Sequence, residues 1–385
     1  MTLPSWTRFA FFAAGTGLAL RAAPISDQPA PEREATGLVF ANPHHDPYDP
    51  QNGRGFNHAP SLAVLPNGQL ISVWFSGPYE GAVEQVILGS TSADGGRTWA
   101  PAQLMAQRRH ESQFDPALLR DGKRLWFFHS SGRWNKYPPV GPQTSGRAKV
   151  GAESFRIYGA YSDDSGATWS EPRIIYDVPA WNCRSNGIVL KSGEYVLPVH
   201  NLGDERGAAS LVSADRGATW KRSTTVVFPS PHLAEEPSIA QLPSGQLLMV
   251  LRTHDGSLWF ARSADHGQIW AQAEKSTLVG AESSANLLAL QDGRLLLTYD
   301  QSAPPRRSPL VMRLSDDGGR TWGQAGQVAT APAGPAAAWS VQASYPSVVE
   351  LDQGRVAAVW ASLVLSPTDL YGEIRSARLK IGRSP

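Results

Sequence analysis

The sequence predicts an all-β chain, a six-bladed β-propeller, and three observations carry that expectation. The pattern Ser-x-Asp-x-Gly-x-Thr-Trp occurs five times. Its aspartates are Asp94, Asp164, Asp215, Asp265 and Asp317, spaced 70, 51, 50 and 52 residues apart. Apolar runs broken by a glycine turn alternate with it, at 61–74, 116–129, 187–200, 237–252, 286–300 and 346–360. No helical period of useful length follows residue 35. A fixed period near fifty residues marks a repeat architecture. Six hairpins, five of them followed by an Asp turn, make six four-stranded sheets, and radial closure removes their exposed edges.

Each element has a local reason. Asp and Gly in a short polar run make a tight turn, because the carboxylate accepts backbone N–H groups and Gly supplies positive φ. The following Trp offers a large apolar face to the sheet. Only the fourth copy departs, with Ile269 for Thr. The hairpin turns carry Gly68, Gly122, Gly193, Gly245, Gly293 and Gly354 between runs of Val, Leu, Ile, Trp and Tyr. The last strand, near Ile374–Ile381, is positioned to complete a blade begun near the N-terminus. The Asp turns read as structural, since five aspartates on five repeats do not converge on one substrate.

Composition bounds the rest. The 385 residues include 36 Gly, 30 Pro and 13 Trp, which suits many short strands and turns. A net charge of +1 gives no global field for nucleic acid or a membrane surface. Phe9–Leu20 is a short apolar run after Arg8, so residues 1–22 read as a secretory signal too short to span a bilayer. Residues 23–36 read as a disordered linker and 37–385 as the propeller. A single cysteine, Cys183, excludes an internal disulfide, and a secreted or periplasmic monomer is expected. His44, His45, Asp46 and Asp49 carry ligand types in a Pro-rich loop without a second cluster, so neither a metal nor another cofactor is expected. His129 and His200 end inner strands and read as buried histidines.

The Asp boxes, their period and the hairpin count resemble the sialidase (neuraminidase) superfamily, also called BNR-repeat proteins, over roughly residues 37–381. The resemblance implies a propeller of sialidase type that acts on a terminal acidic sugar. Its site has three arginines clamping a carboxylate, an acid/base carboxylate and a Tyr–Glu nucleophile pair. Tyr345, opening the last hairpin, stands at the nucleophile position, with a core aromatic at a strand start as the equal alternative. Glu236 enters the fourth hairpin and Arg252 leaves it, matching the Tyr partner and the second arginine. A tight turn brings such strand ends to one face. A surface Glu and a snorkelling Arg are the alternatives. Arg307 matches the third arginine, with Arg306 as its rival, and Arg184 is a further substrate-binding candidate at the pocket mouth.

Two positions depart from the family pattern. His58 stands where the first arginine is expected, a shorter and weaker donor set. Glu80, with Glu84 behind it, replaces an aspartate acid. Asp115 is a lesser candidate at the second hairpin. The His58 and Glu80-Gly81 variants resemble a subgroup with a His-Ala start to blade one, related to lyases of rhamnosyl–glucuronate linkages. In that reading His58 and Tyr345 serve proton removal while Arg184 and Arg252 neutralise a uronate. A non-catalytic glycan-binding propeller is the third reading.

Overall fold

In the computed structural model the chain is all β among the described residues. These are 28–42, 54–133, 154–203, 206–229, 234–334, 338, 340–352, 354–366 and 370–382. The expected signal segment, the first part of the linker and the His44–Asp49 loop lie outside them.

Six sheets follow the six hairpins. Blade one is β2 (Phe56–Val64), β3 (Leu70–Gly77), β4 (Val86–Ser92) and β5 (Gln103–Ala106). Blade two is β6 (Ser112–Asp121), β7 (Arg124–Gly132), β8 (Arg156–Ser162) and β9 (Arg173–Tyr176). In blade three the first strand is broken into β10 (Trp181–Cys183) and β11 (Ile188–Val189). Both pieces pair with β12 (Tyr195–Asn201), which β13 (Gly207–Ser213) and β14 (Lys221–Arg222) follow. Blade four is β15 (Glu235–Gln241), β16 (Leu247–Arg252), β17 (Ser257–Ser263) and β18 (Glu274–Val279). Blade five is β19 (Asn286–Ala289), β20 (Leu295–Asp300), β21 (Leu310–Ser315) and β22 (Gly326–Ala329). Blade six takes β23 (Ser340–Asp352), β24 (Arg355–Leu365) and β25 (Leu370–Lys380) from the C-terminal end, and β1 (Glu32–Ala41) as its outermost strand.

That last pairing closes the ring. Glu32 lies opposite Lys380 and Ala41 opposite Glu373. The stretch Glu32–Thr36, expected within a disordered linker, is therefore strand, because the edge of β25 offers it a ladder that its composition alone does not reveal. Arg294, 2% exposed, ties the closure down. It donates to Asp292, to the Gln28 side chain and to the Gly382 carbonyl.

The apolar core sits between blades rather than at the centre. Each of six buried clusters spans neighbouring sheets, for example Trp126, Phe128, Tyr195 and Leu197 between blades two and three. All six hairpin glycines have positive φ, from 57° at Gly122 to 103° at Gly193, as tight turns require.

The Asp boxes join the third and fourth strands and work as the sequence implies. In the second box Asp164 accepts the Thr168 N–H at 2.9 Å and its hydroxyl at 2.6 Å, and Ser162 caps the Gly166 N–H at 2.8 Å. The boxes also lock each blade to the one before it. The Trp99 indole donates to Ser376 of blade six, and Trp270 of blade four to Ser210 of blade three, both at 3.0 Å. Gly217 adopts φ 88°, and a Cβ there would lie 2.6 Å from the Trp126 ring of blade two.

Two outcomes follow. Gly217→Ala loses about 2 kcal/mol or more of stability in a denaturant titration, because positive φ and overpacking act together. The donors around Asp94, Asp164 and Asp215, the threonine hydroxyl first, hold these carboxyls at about 2, below the usual value. Their stabilisation is present above pH ~4 and lost as pH falls through about 2, so Tm drops across that window. Replacing the three aspartates by Asn flattens the drop.

Candidate active site

The channel mouth is built by a recurrent break in the innermost strands. The register slips between His58 and Ser61, Phe114 and Ala117, Glu235 and Ser238, and Ser344 and Ser347. At each slip the residue before a proline is left-handed: Ala59 at φ 52°, Asp115 at 45°, Glu236 at 46° and Tyr345 at 59°. Pre-proline residues ordinarily stay extended, and a non-glycine residue at positive φ costs about 1–3 kcal/mol. Such strain persists where the surroundings over-determine it, and bulges re-aim side chains next to active sites.

The residue two positions further on staples neighbouring blades. Ser347 accepts the Leu62 N–H and Ser238 the Leu287 N–H, both at 3.0 Å. Asn186 does the same for Leu118 at 3.0 Å. Counting back from these three residues gives Tyr345, Glu236 and Arg184, and Ala59 and Asp115 lie in the matching bulges of blades one and two.

Tyr345, Glu236 and Arg252 meet. The Tyr345 hydroxyl donates to Glu236 Oε1 at 2.9 Å. Arg252 Nη1 donates to that carboxylate at 2.7 Å and to the phenol oxygen at 2.8 Å. Burial pushes the Glu236 carboxyl up, but Arg252, with His200 and Arg184 behind it, more than offsets this and holds it at about 2. Burial raises the Tyr345 phenol well above its ordinary value despite Arg252. The site thus holds a neutral phenol whose proton faces an ionised carboxylate and whose oxygen already receives a guanidinium N–H.

Arg307 joins this group and its rival Arg306 does not, being exposed. Arg307 pairs with Gln342 through a parallel bridge, donates to Gln342 Oε1 at 3.1 Å, and holds its guanidinium 5.5 Å above the Tyr345 ring. His58 Nε2 lies 3.4 Å from the same Gln342 oxygen, and its ring sits 4.2 Å from the Tyr345 ring. Burial pushes the imidazole down to about 3; Glu80 opposes this and Arg307 and Arg184 add to it. A neutral ring on an aromatic wall neither clamps an anion as an arginine does nor removes a proton efficiently at neutral pH. His58 packs against the Tyr345 ring and turns Nε2 to the Gln342 amide.

On the far side, Asp115 accepts Asn182 Nδ2 at 2.9 Å and lies 4.0 Å from His200 Nε2. Burial lifts its carboxyl to about 8; Arg184 opposes, while Glu236 and Glu80 reinforce the rise, so it is neutral at pH 7. Glu80 lies on the loop after β3, partly buried, and its charge acts on both His58 and Asp115. Glu84 is exposed. Arg184 is 1% exposed, with its guanidinium 4.9 Å from the Tyr345 ring centre. Every predicted site residue is thus brought to one mouth. Sequence reasoning missed Gln342, Asn182 and the part of His200. Clefts of about 810 and 490 Å³ lie elsewhere, against the outer strands and Asp boxes of blades three to five, and contain none of these residues.

A six-bladed ring with this convergent mouth defines a class, and the comparisons place the chain in it. Residues 68–358 match the BNR repeat-like domain, and the chain belongs to that family, within the sialidase and BNR superfamily. It is 26% identical over 306 residues to a sialidase of Micromonospora viridifaciens, covering 70% of this chain and 46% of that protein. It is 27% identical over 271 residues to a sialidase of Paraclostridium sordellii, covering 60% of this chain and 64% of that one. The chain therefore spans about half to two thirds of the length of these relatives. The Hadza microbial sialidase Hz136 shares the fold, with a TM-score of 0.69 at 21% identity over 87% of this chain and 68% of its own.

Arg252→Met strands the buried Glu236 carboxylate and costs about 3–5 kcal/mol in urea denaturation. The double replacement Glu236→Leu with Arg252→Met recovers most of that loss.

Proposed function

We propose that this protein is a secreted, monomeric glycoside hydrolase that removes a terminal acidic sugar of the sialic type, with Tyr345 as nucleophile. The single observation that carries this reading is the Tyr345–Glu236 hydrogen bond of 2.9 Å with Arg252 donating to both oxygens. Sialidases are the recognised glycosidases that use Tyr where others use a carboxylate. The two curated relatives named as sialidases support the same class.

The phenol oxygen attacks the anomeric carbon as the glycosidic C–O bond breaks. The phenol proton passes to Glu236 while Glu80 protonates the leaving oxygen. Glu236 is a weak base at about 2, so its proton transfer accompanies bond formation rather than preceding it. Arg252 remains on the phenol oxygen and stabilises the charge that develops there. Water then cleaves the glycosyl–tyrosine bond with Glu80 as base, and Tyr345 regains its proton from Glu236. Arg252 and Arg307 face the sugar carboxylate. No cofactor enters these steps.

A fluorogenic sialoside tests this directly. The protein releases the fluorophore, and Tyr345→Phe lowers kcat by about a hundredfold or more. Glu80→Gln cuts turnover of alkyl sialosides far more than of aryl sialosides, the signature of a lost general acid. An untouched sialoside beside a rhamnosyl-glucuronate glycan that gains ultraviolet absorbance would establish elimination instead. Binding without turnover of either would establish a lectin-like propeller.

A further inference from the structure

The mouth holds one buried guanidinium, that of Arg184, with which no carboxylate of the described residues forms an ion pair. Three guanidiniums, those of Arg184, Arg252 and Arg307, face the carboxylates of Glu236 and Glu80. Arg252 is paired with Glu236, and Arg307 with the Gln342 amide. Glu235 turns aside to Arg206 and His254. Arg184 has no such partner. Its side chain is 1% exposed, and its Nε and Nη2 atoms are buried without a hydrogen-bond acceptor. No carboxylate among the described residues lies within ion-pair distance of it. Its guanidinium lies instead against the Tyr345 ring. A buried guanidinium with idle N–H groups is costly, and such a group persists where something else completes it.

Its origin in the fold sharpens the point. Arg184 follows β10, where the innermost strand of blade three is interrupted before β11. It occupies the slot that holds Asp115, Glu236 and Tyr345 in blades two, four and six. His58, at the entrance of blade one, is neutral and turned to Gln342. The guanidiniums of Arg184 and Arg307 and the His58 ring all lie against the Tyr345 ring, at 4.9, 5.5 and 4.2 Å.

We propose that Arg184, reaching across from blade three, is a substrate-binding residue that supplies the carboxylate contact which position 58 does not. Its buried, unpartnered Nε and Nη2 are the two donors with which a guanidinium pairs bidentately with a carboxylate. The ligand is then a monoanionic sugar acid, held by Arg184 together with Arg252 and Arg307 against the His58–Tyr345 wall. This inference rests on the acidic-sugar reading above but does not need hydrolysis.

Calorimetric titration of the whole protein with N-acetylneuraminic acid, its methyl ester and D-glucuronate, beside thermal melts of the ligand-free forms, tests it. The expected result is that the acid binds about tenfold or more tighter than its ester, and that Arg184→Met erases this preference with little change in ester affinity. The same variant, freed of an uncompensated buried charge, melts at or above the wild-type temperature. Arg184→Lys keeps the charge without the fork and lies between. Adding His58→Arg to Arg184→Met restores acid preference. An unchanged preference in Arg184→Met, or a lower melting temperature or failure to fold, overturns the assignment and leaves the proposed hydrolysis standing. Binding of glucuronate but not N-acetylneuraminic acid, lost in Arg184→Met, upholds the clamp and overturns the sialic reading. A wild-type protein that binds neither acid overturns both.

Discussion

Ring closure by the β1–β25 ladder is the constraint on which the site depends. The innermost strands carry the chemical groups, but no blade holds more than part of the set. Tyr345 comes from blade six, Glu236 and Arg252 from blade four, Arg307 from blade five, His58 from blade one, and Asp115 from blade two. The Tyr345–Glu236 hydrogen bond alone spans 109 residues of sequence. Only a closed ring sets such distant segments within 3 Å of one another. The closure is held by main-chain pairing and by the buried Arg294 network. Apolar clusters between blades and the Asp-box locks give the ring its stiffness, and stiffness lets it hold four left-handed bulges.

Within that frame, electrostatics divides the labour. Glu236 and Asp115 are both buried carboxyls at equivalent slots, yet they part widely. Glu236 shares hydrogen bonds with Arg252 and stays ionised; Asp115 accepts from Asn182, is more deeply desolvated than compensated, and stays protonated. Environment, not residue type, sets which group accepts a proton and which keeps one. His58 shows the same logic in reverse. Desolvation between aromatic rings and near two guanidiniums removes its charge.

Much of this was legible in the sequence. The five boxes and six glycine turns set blade number and register, and register located the strand entrances where Tyr345, Glu236, Arg252 and Asp115 lie. The strand at Glu32–Thr36 was not legible, because a polar stretch becomes a strand only when a partner edge is offered. The part of Gln342 was hidden too: its contacts to Arg307 and His58 join residues far apart in sequence. One signal was present but unread. Ala59-Pro60-Ser61, Asp115-Pro116-Ala117, Glu236-Pro237-Ser238 and Tyr345-Pro346-Ser347 repeat one bulge, and the residue before each proline marks the slot. Read that way, the pattern picks out Asp115, Glu236 and Tyr345 together.

The central claim is that Tyr345 forms a covalent bond to the sugar. A fluorinated sialosyl fluoride, which slows breakdown of a glycosyl intermediate, tests it most directly when the protein is digested and its peptides are weighed. The account predicts a sugar adduct on the peptide containing Tyr345, absent from Tyr345→Phe and from untreated protein. An adduct on another residue, or turnover of the sialoside with no adduct on Tyr345, would contradict it.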